Sequence, residues 1–68
     1  MNKDKFKSIM VLNGDTIRSL AKSLGISEVS LSYKINETKS EFKVGEMSKI
    51  RARYSLSSDQ IVDIFFTQ

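Results

Sequence analysis

Residues 16–36 of this 68-residue chain, TIRSLAKSLGISEVSLSYKIN, contain its most informative pattern. Apolar residues first recur at helical spacing, then Gly25 interrupts them, and Ser27 precedes a second helical pattern. Glycine tolerates the left-handed backbone at the end of a helix, and serine is a favoured N-cap for the next one. The stretch therefore predicts two helices, over about 17–24 and 28–35, joined by a tight turn. The predicted core positions are Leu20, Ala21, Leu24, Ile26, Leu31 and Ile35.

Three further helical patterns flank this pair. The first runs from about Lys3 to Leu12, the fourth from about Val44 to Tyr54, and a short fifth opens with the capping-box pattern of residues 57–60. The predicted inward stripes of the first and fourth helices include Leu12 and Val44. The chain has no proline and no low-complexity linker, so we predict one compact, all-α, five-helix domain over residues 1–68.

The composition excludes several classes of function. The chain has no cysteine and no histidine, which removes disulfides, zinc fingers, thiol catalysis and the commonest general base. No paired carboxylates or phosphate-cradling glycine loop occur, so we expect no enzyme, no cofactor, no metal and no small-molecule ligand. No apolar run approaches the ~20 residues of a membrane span, and no secretion signal is found. We expect a soluble protein of the bacterial cytoplasm or nucleoid, with no membrane partner.

Charge is distributed unevenly along the chain. The net charge is +3, from eleven Lys and Arg residues against eight Asp and Glu residues. Residues 1–54 carry all eleven cations, whereas residues 55–68 carry only Asp59 and Asp63. A basic body suggests a polyanionic partner, and the acidic, apolar C-terminal segment is expected to face away from that partner.

The helical pair resembles the helix-turn-helix of the lambda-repressor/Cro-like (XRE) family of phage and bacterial regulators, on Leu20-Ala21, Leu24-Gly25-Ile26-Ser27, Leu31 and Asn36. The five-helix layout and the length are similar to those of its short Cro-like members. The resemblance implies a lambda-repressor-like DNA-binding domain and a transcriptional regulator, a Cro-like repressor of phage or prophage origin, that inserts helix 3 into the major groove of double-stranded DNA. Ile17 and Lys34 depart from the family pattern, where a phosphate-supporting Gln and an apolar residue are common.

The outer side of the predicted helix 3 carries side chains suited to contacts with base edges. Hydroxyl groups serve either donor or acceptor edges, Val29 can meet a thymine methyl group, and Glu28 can accept from cytosine N4. A solvated helix face is the alternative interpretation. We predict that the base-reading residues are Ser27, Glu28, Val29, Ser30, Ser32 and Tyr33.

Phosphate contacts are expected from cations and hydroxyl or amide side chains around this helix, because such contacts fix register without reading sequence. Arg51 and Arg53, on the fourth helix, are expected to serve solubility or intramolecular pairing instead. The predicted phosphate-contacting residues are Thr16, Arg18, Lys22, Lys34, Asn36, Thr38, Lys39 and Lys43.

The C-terminal segment, residues 57–68, contains more apolar residues than one face of a short helix is expected to bury. Ile61 and one phenylalanine are expected to complete the core, and we predict dimerisation through Ile64, Phe65 and Phe66. A two-fold homodimer would present two recognition helices ~34 Å apart and favour a palindromic operator. Two alternatives remain: an antitoxin whose tail binds a toxin, and a helical protein-interaction module with no DNA role.

Overall fold

The computed structural model describes residues 1–36 and 41–66, and in these residues the backbone forms five α-helices and no strand. The all-helical prediction is confirmed, and the helix bounds lie within a residue or so of the predicted ones. In chain order the helices are α1 (Lys3–Leu12), α2 (Ile17–Leu24), α3 (Glu28–Asn36), α4 (Val44–Tyr54) and α5 (Ser58–Phe65).

Side chains immediately before the helices determine where α2, α3 and α5 begin. The Thr16 hydroxyl accepts from the Ser19 amide at 3.2 Å, and the Ser19 hydroxyl accepts from the Thr16 amide at 2.9 Å. Ser27 accepts from the Ser30 amide at 3.0 Å, and Ser57 accepts from the Gln60 amide at 3.2 Å. Each bond satisfies one of the amide groups that a helix start leaves without an intrahelical partner.

The turn between α2 and α3 depends on Gly25, which adopts φ +72°. This left-handed conformation lets the Gly25 amide donate to the Lys22 carbonyl at 3.2 Å and the Ile26 amide donate to the Ala21 carbonyl at 3.0 Å. Both carbonyls belong to the last turn of α2, where carbonyl groups would otherwise lack hydrogen-bond donors. The helix therefore ends abruptly, and α3 packs back against α2.

All five helices, and the residues just after α4, contribute side chains to one hydrophobic core. The predicted core positions of α2 and α3 are confirmed, and Ile26 packs against the core from the turn between them. The buried apolar residues are Phe6, Met10, Leu20, Ala21, Leu24, Leu31, Ile35, Ile50, Tyr54, Leu56 and Ile64.

Three phenylalanine rings from distant parts of the chain meet at one edge of this core. The ring centroids of Phe6, Phe42 and Phe65 are 5.5–6.0 Å apart, in tilted or edge-to-face arrangements. Such geometry is favourable for aromatic pairs. This packing corrects the dimerisation role predicted for two residues. Ile64 is fully buried and Phe65 belongs to this ring cluster, because α5 packs inward against α1.

The N-terminus is attached directly to α5. The Asn2 amide donates to the Ile64 carbonyl at 2.8 Å, and the Lys5 ammonium lies 3.2 Å from the Asp63 carboxylate. Leu12 and Val44, which were predicted to face the core, are exposed, and they lie at the last residue of α1 and the first residue of α4. No helix in the described ranges is long and apolar enough to span a bilayer.

Candidate nucleic-acid interface

The helix α3 has one side fixed in the core and one side exposed. Leu31 and Ile35 are buried, whereas Val29, Tyr33 and Asn36 are at least partly exposed, one helical turn apart. Val29, in the first turn, exposes 60% of its surface. The structure thus brings a short row of solvent-accessible side chains onto one side of a helix whose other side packs in the core.

The six predicted base-reading residues do not have equal access to a partner. Glu28, Val29 and Tyr33 are exposed, whereas Ser30 and Ser32 are half-buried and therefore less accessible to a partner. The Ser27 hydroxyl is exposed but already accepts a hydrogen bond as the N-cap of α3. The most accessible row is therefore narrower than the predicted set.

Five of the predicted phosphate-contacting residues are exposed. Thr16 caps the start of α2, Arg18 and Lys22 project from that helix, and Lys43 immediately precedes α4. Asn36 is also exposed, and its side-chain amide donates to the Ser32 carbonyl at 2.9 Å. Two further predicted residues, Thr38 and Lys39, lie outside the described residues.

Lys34 is not available to a phosphate, which corrects its predicted role. Only 5% of its surface is exposed, and its ammonium group lies 3.1 Å from the Glu46 carboxylate and donates to the Glu41 carbonyl at 3.1 Å. Burial raises the pKa of Glu46, but hydrogen bonds from the Lys43 amide and the Lys34 ammonium outweigh it and lower the pKa overall. Lys34 therefore connects the end of α3 to the start of α4.

A buried carboxylate just before α2 holds the second and fourth helices together. Asp15 accepts from Arg53 Nε at 2.7 Å and Nη2 at 2.6 Å, from the Tyr54 hydroxyl at 2.6 Å and from the Ser19 hydroxyl at 2.7 Å. Arg53 Nη1 also donates to the Ser23 hydroxyl at 3.2 Å. Arg53 thus pairs intramolecularly, one of the two roles expected for it.

The electrostatics of this cluster follow from its geometry. The hydrogen bonds from Arg53, and to a lesser extent those from Tyr54 and Ser19, hold the pKa of Asp15 well below its usual range despite burial. Burial and the hydrogen bond to Asp15 raise the pKa of the Tyr54 hydroxyl. Asp15 was not predicted as a structural residue, because no local pattern pairs positions that are 38 and 39 residues apart.

The chain was compared with protein-family models, with curated proteins and with solved structures, and none of them matches. In the described parts of the chain, no group of three acidic, histidine or cysteine side chains gathers where a metal ion could bind. The feature with the clearest chemical use is the exposed row on α3, together with the exposed cations Arg18 and Lys22 on the adjoining helix α2 and Lys43 just before α4.

Proposed function

We propose that this protein is a sequence-specific double-stranded DNA-binding transcriptional regulator that inserts α3 into the major groove. The observation that carries the proposal is the exposed row of Val29, Tyr33 and Asn36 on a short helix fixed from behind by Leu31 and Ile35. The major groove of B-DNA is ~12 Å wide and admits one such helix. Base edges are read there by side chains that project from the outer side of the helix.

The arrangement of α2 around α3 supports a helix-turn-helix of the lambda-repressor-like type. The turn at Gly25 is tight, α2 packs against α3, and Thr16 and Arg18 are exposed at the start of α2. In this proposal Thr16, Arg18, Lys22, Asn36 and Lys43 contact phosphates and set the register, while the outer side of α3 reads sequence. A Cro-like repressor of phage or prophage origin, acting in the bacterial cytoplasm, fits this scheme.

We further propose a two-fold homodimer through the α4–α5 apolar surface, which consists of Val44, Met47, Ile61 and Phe66. Phe66 is 67% exposed and Val44 is 77% exposed, so this surface replaces the predicted one at Ile64 and Phe65. Arg51 of α4 lines the same surface and donates to the Ser58 hydroxyl at 3.3 Å. A two-fold contact would bury the apolar side chains of both copies against each other, and for this reason we propose a second copy as the occupant.

The exposed Phe66 and Val44 also keep the antitoxin alternative open, because a toxin could cover the same surface. Sedimentation equilibrium separates the two occupants. A homodimer predicts a dimer mass for the wild-type protein, a shift toward monomer for Phe66→Ser, and no shift for Val11→Ser, an exposed valine on α1. A monomer at every concentration would exclude the homodimer and favour a toxin as the occupant of this surface.

The DNA-binding proposal is tested by selecting bound duplexes from a random pool and measuring affinity over a range of salt concentrations. We expect an enriched palindrome with half-sites ~34 Å apart, and a logarithm of the binding constant that falls linearly with that of the salt concentration. Failure to enrich any duplex, with no salt-dependent binding, would exclude this function and favour a protein-interaction module.

A further inference from the structure

The outer side of α3 carries no cation, although the protein is basic overall. The helix α3 contains a single Lys or Arg residue, Lys34, and that side chain is buried against Glu46. The one charged side chain exposed on α3 is the carboxylate of Glu28. The commonest specific contact with DNA, a bidentate pair between Arg or Lys and guanine O6 and N7, therefore has no donor on α3.

In place of a cation, α3 exposes an apolar side chain in its first turn. Val29 lies in the first turn, the part of a recognition helix that enters deepest into the major groove, and most of its side chain is exposed. A β-branched side chain in a helix has one strongly preferred χ1 rotamer, so its methyl groups are presented with little loss of entropy on binding. The apolar group that bases present in the major groove is the C5-methyl of thymine.

The carboxylate next to Val29 is compatible with the same base pairs. Glu28 accepts hydrogen bonds only, so it suits the exocyclic amines of adenine and cytosine and repels the O6 and N7 acceptors of guanine. An A·T pair presents both an adenine amine and a thymine methyl group in the major groove. Adjacent A·T pairs thus match the pair of side chains at the start of α3.

We propose that α3 recognises A·T pairs in each half-site through thymine methyl groups, with Val29 as the residue that determines this preference. This inference rests on the proposed DNA-binding function and specifies its ligand. It assigns sequence discrimination to van der Waals contact with a methyl group, while the cations of α2 and the segment before α4 supply charge-dependent affinity.

The test replaces single thymines by uracil in the duplex selected from the random pool, which removes the methyl group and leaves base pairing unchanged. Burying one methyl group corresponds to about a fourfold change in affinity. We expect wild-type protein to lose about that factor at one or two positions per half-site. Val29→Ala should bind thymine and uracil duplexes equally, whereas Val11→Ala, the matched change on α1, should keep the full wild-type sensitivity.

A second duplex provides a gain-of-binding measurement. Where a critical T·A pair is replaced by C·G, 5-methylcytosine should restore part of the wild-type affinity and none of the affinity of Val29→Ala. Uracil tolerance at every position, or equal uracil sensitivity in wild-type and Val29→Ala proteins, would overturn the inference while DNA binding itself stands. Absence of binding to any duplex would overturn the proposed function and this inference with it.

Discussion

The outer side of α3 and the start of α2 differ in the contacts that hold them in place and in the side chains that they expose to a partner. The outer side of α3 is a row of exposed, uncharged side chains, Val29, Tyr33 and Asn36. The start of α2 is anchored by Asp15, a carboxylate with four short hydrogen bonds to Arg53, Tyr54 and Ser19. We infer that the first region serves recognition and the second serves stability, so substitutions should separate the two effects.

The largest expected effect is on stability, from Asp15→Asn. The amide keeps the size of the side chain but removes the charge, and one of its two polar atoms becomes a donor that faces donors. Loss of charge-assisted hydrogen bonds in a buried position should lower the free energy of unfolding by about 3 kcal/mol. Urea denaturation measures this change.

Asp4→Asn, an exposed aspartate in the first turn of α1, is the matched control. Its loss should cost only a few tenths of a kcal/mol through the helix dipole. Equal stability of Asp15→Asn and Asp4→Asn would show that the Asp15 cluster does not hold the second and fourth helices together.

The next effect concerns Lys34, which the sequence placed on the DNA side and the structure places inside. Lys34→Gln leaves the partly buried Glu46 carboxylate without its cation, which should cost about 2 kcal/mol of stability. Adding Glu46→Gln should recover part of that loss, because the uncompensated charge is removed. Unchanged stability together with a weaker salt dependence of DNA binding would instead identify Lys34 as a phosphate contact.

A smaller effect is expected from pH. The folded pKa of Asp15 is lowered, so its stabilisation is present above the unfolded pKa of about 3.9 and is lost as pH falls toward the folded value. Between about pH 5 and pH 3 this group alone should remove about 1 kcal/mol. Urea denaturation at several pH values should show this acid loss in wild-type protein and a reduced one in Asp15→Asn. Parallel profiles for the two proteins would contradict the assignment.

The smallest effect on the protein itself is expected from the exposed cations of α2. Neutralising Arg18 and Lys22 together, each to Gln, should leave stability nearly unchanged and reduce the salt slope of DNA binding by about two per bound protomer, that is by about four for the proposed dimer. Lys49→Gln, an exposed cation of α4 outside the proposed contacts, should leave the slope unchanged. The opposite result would place the phosphate backbone against α4.

Features that depend on neighbouring residues were predictable from the sequence. Gly25 followed by Ser27 specifies an abrupt helix end and a new helix start within three residues, and the structure shows both. The periodicity of α2 and α3 likewise gave the correct inward positions, Leu20 and Leu31 among them. Local hydrogen bonding and helical periodicity suffice for such predictions, since all the partners lie within one or two turns.

Features that depend on distant residues were not predictable. The orientation of Phe65 follows from Phe6 and Phe42, which lie far away along the chain. Lys34 turns inward because Glu46, beyond the next loop, supplies a carboxylate there. In each case the residue type was evident from the sequence, but the distant residue that it contacts was not. The predicted set of site residues was therefore larger than the exposed row on α3.

The most direct test of the central claim is a titration of ¹⁵N-labelled protein with the selected duplex, followed by amide chemical-shift changes. If α3 enters the major groove, the largest changes should occur at the exposed row of α3, with Val29 and Tyr33 foremost, and at the start of α2 around Thr16. Changes concentrated on α1 or α5, with α3 unaffected, would contradict the account.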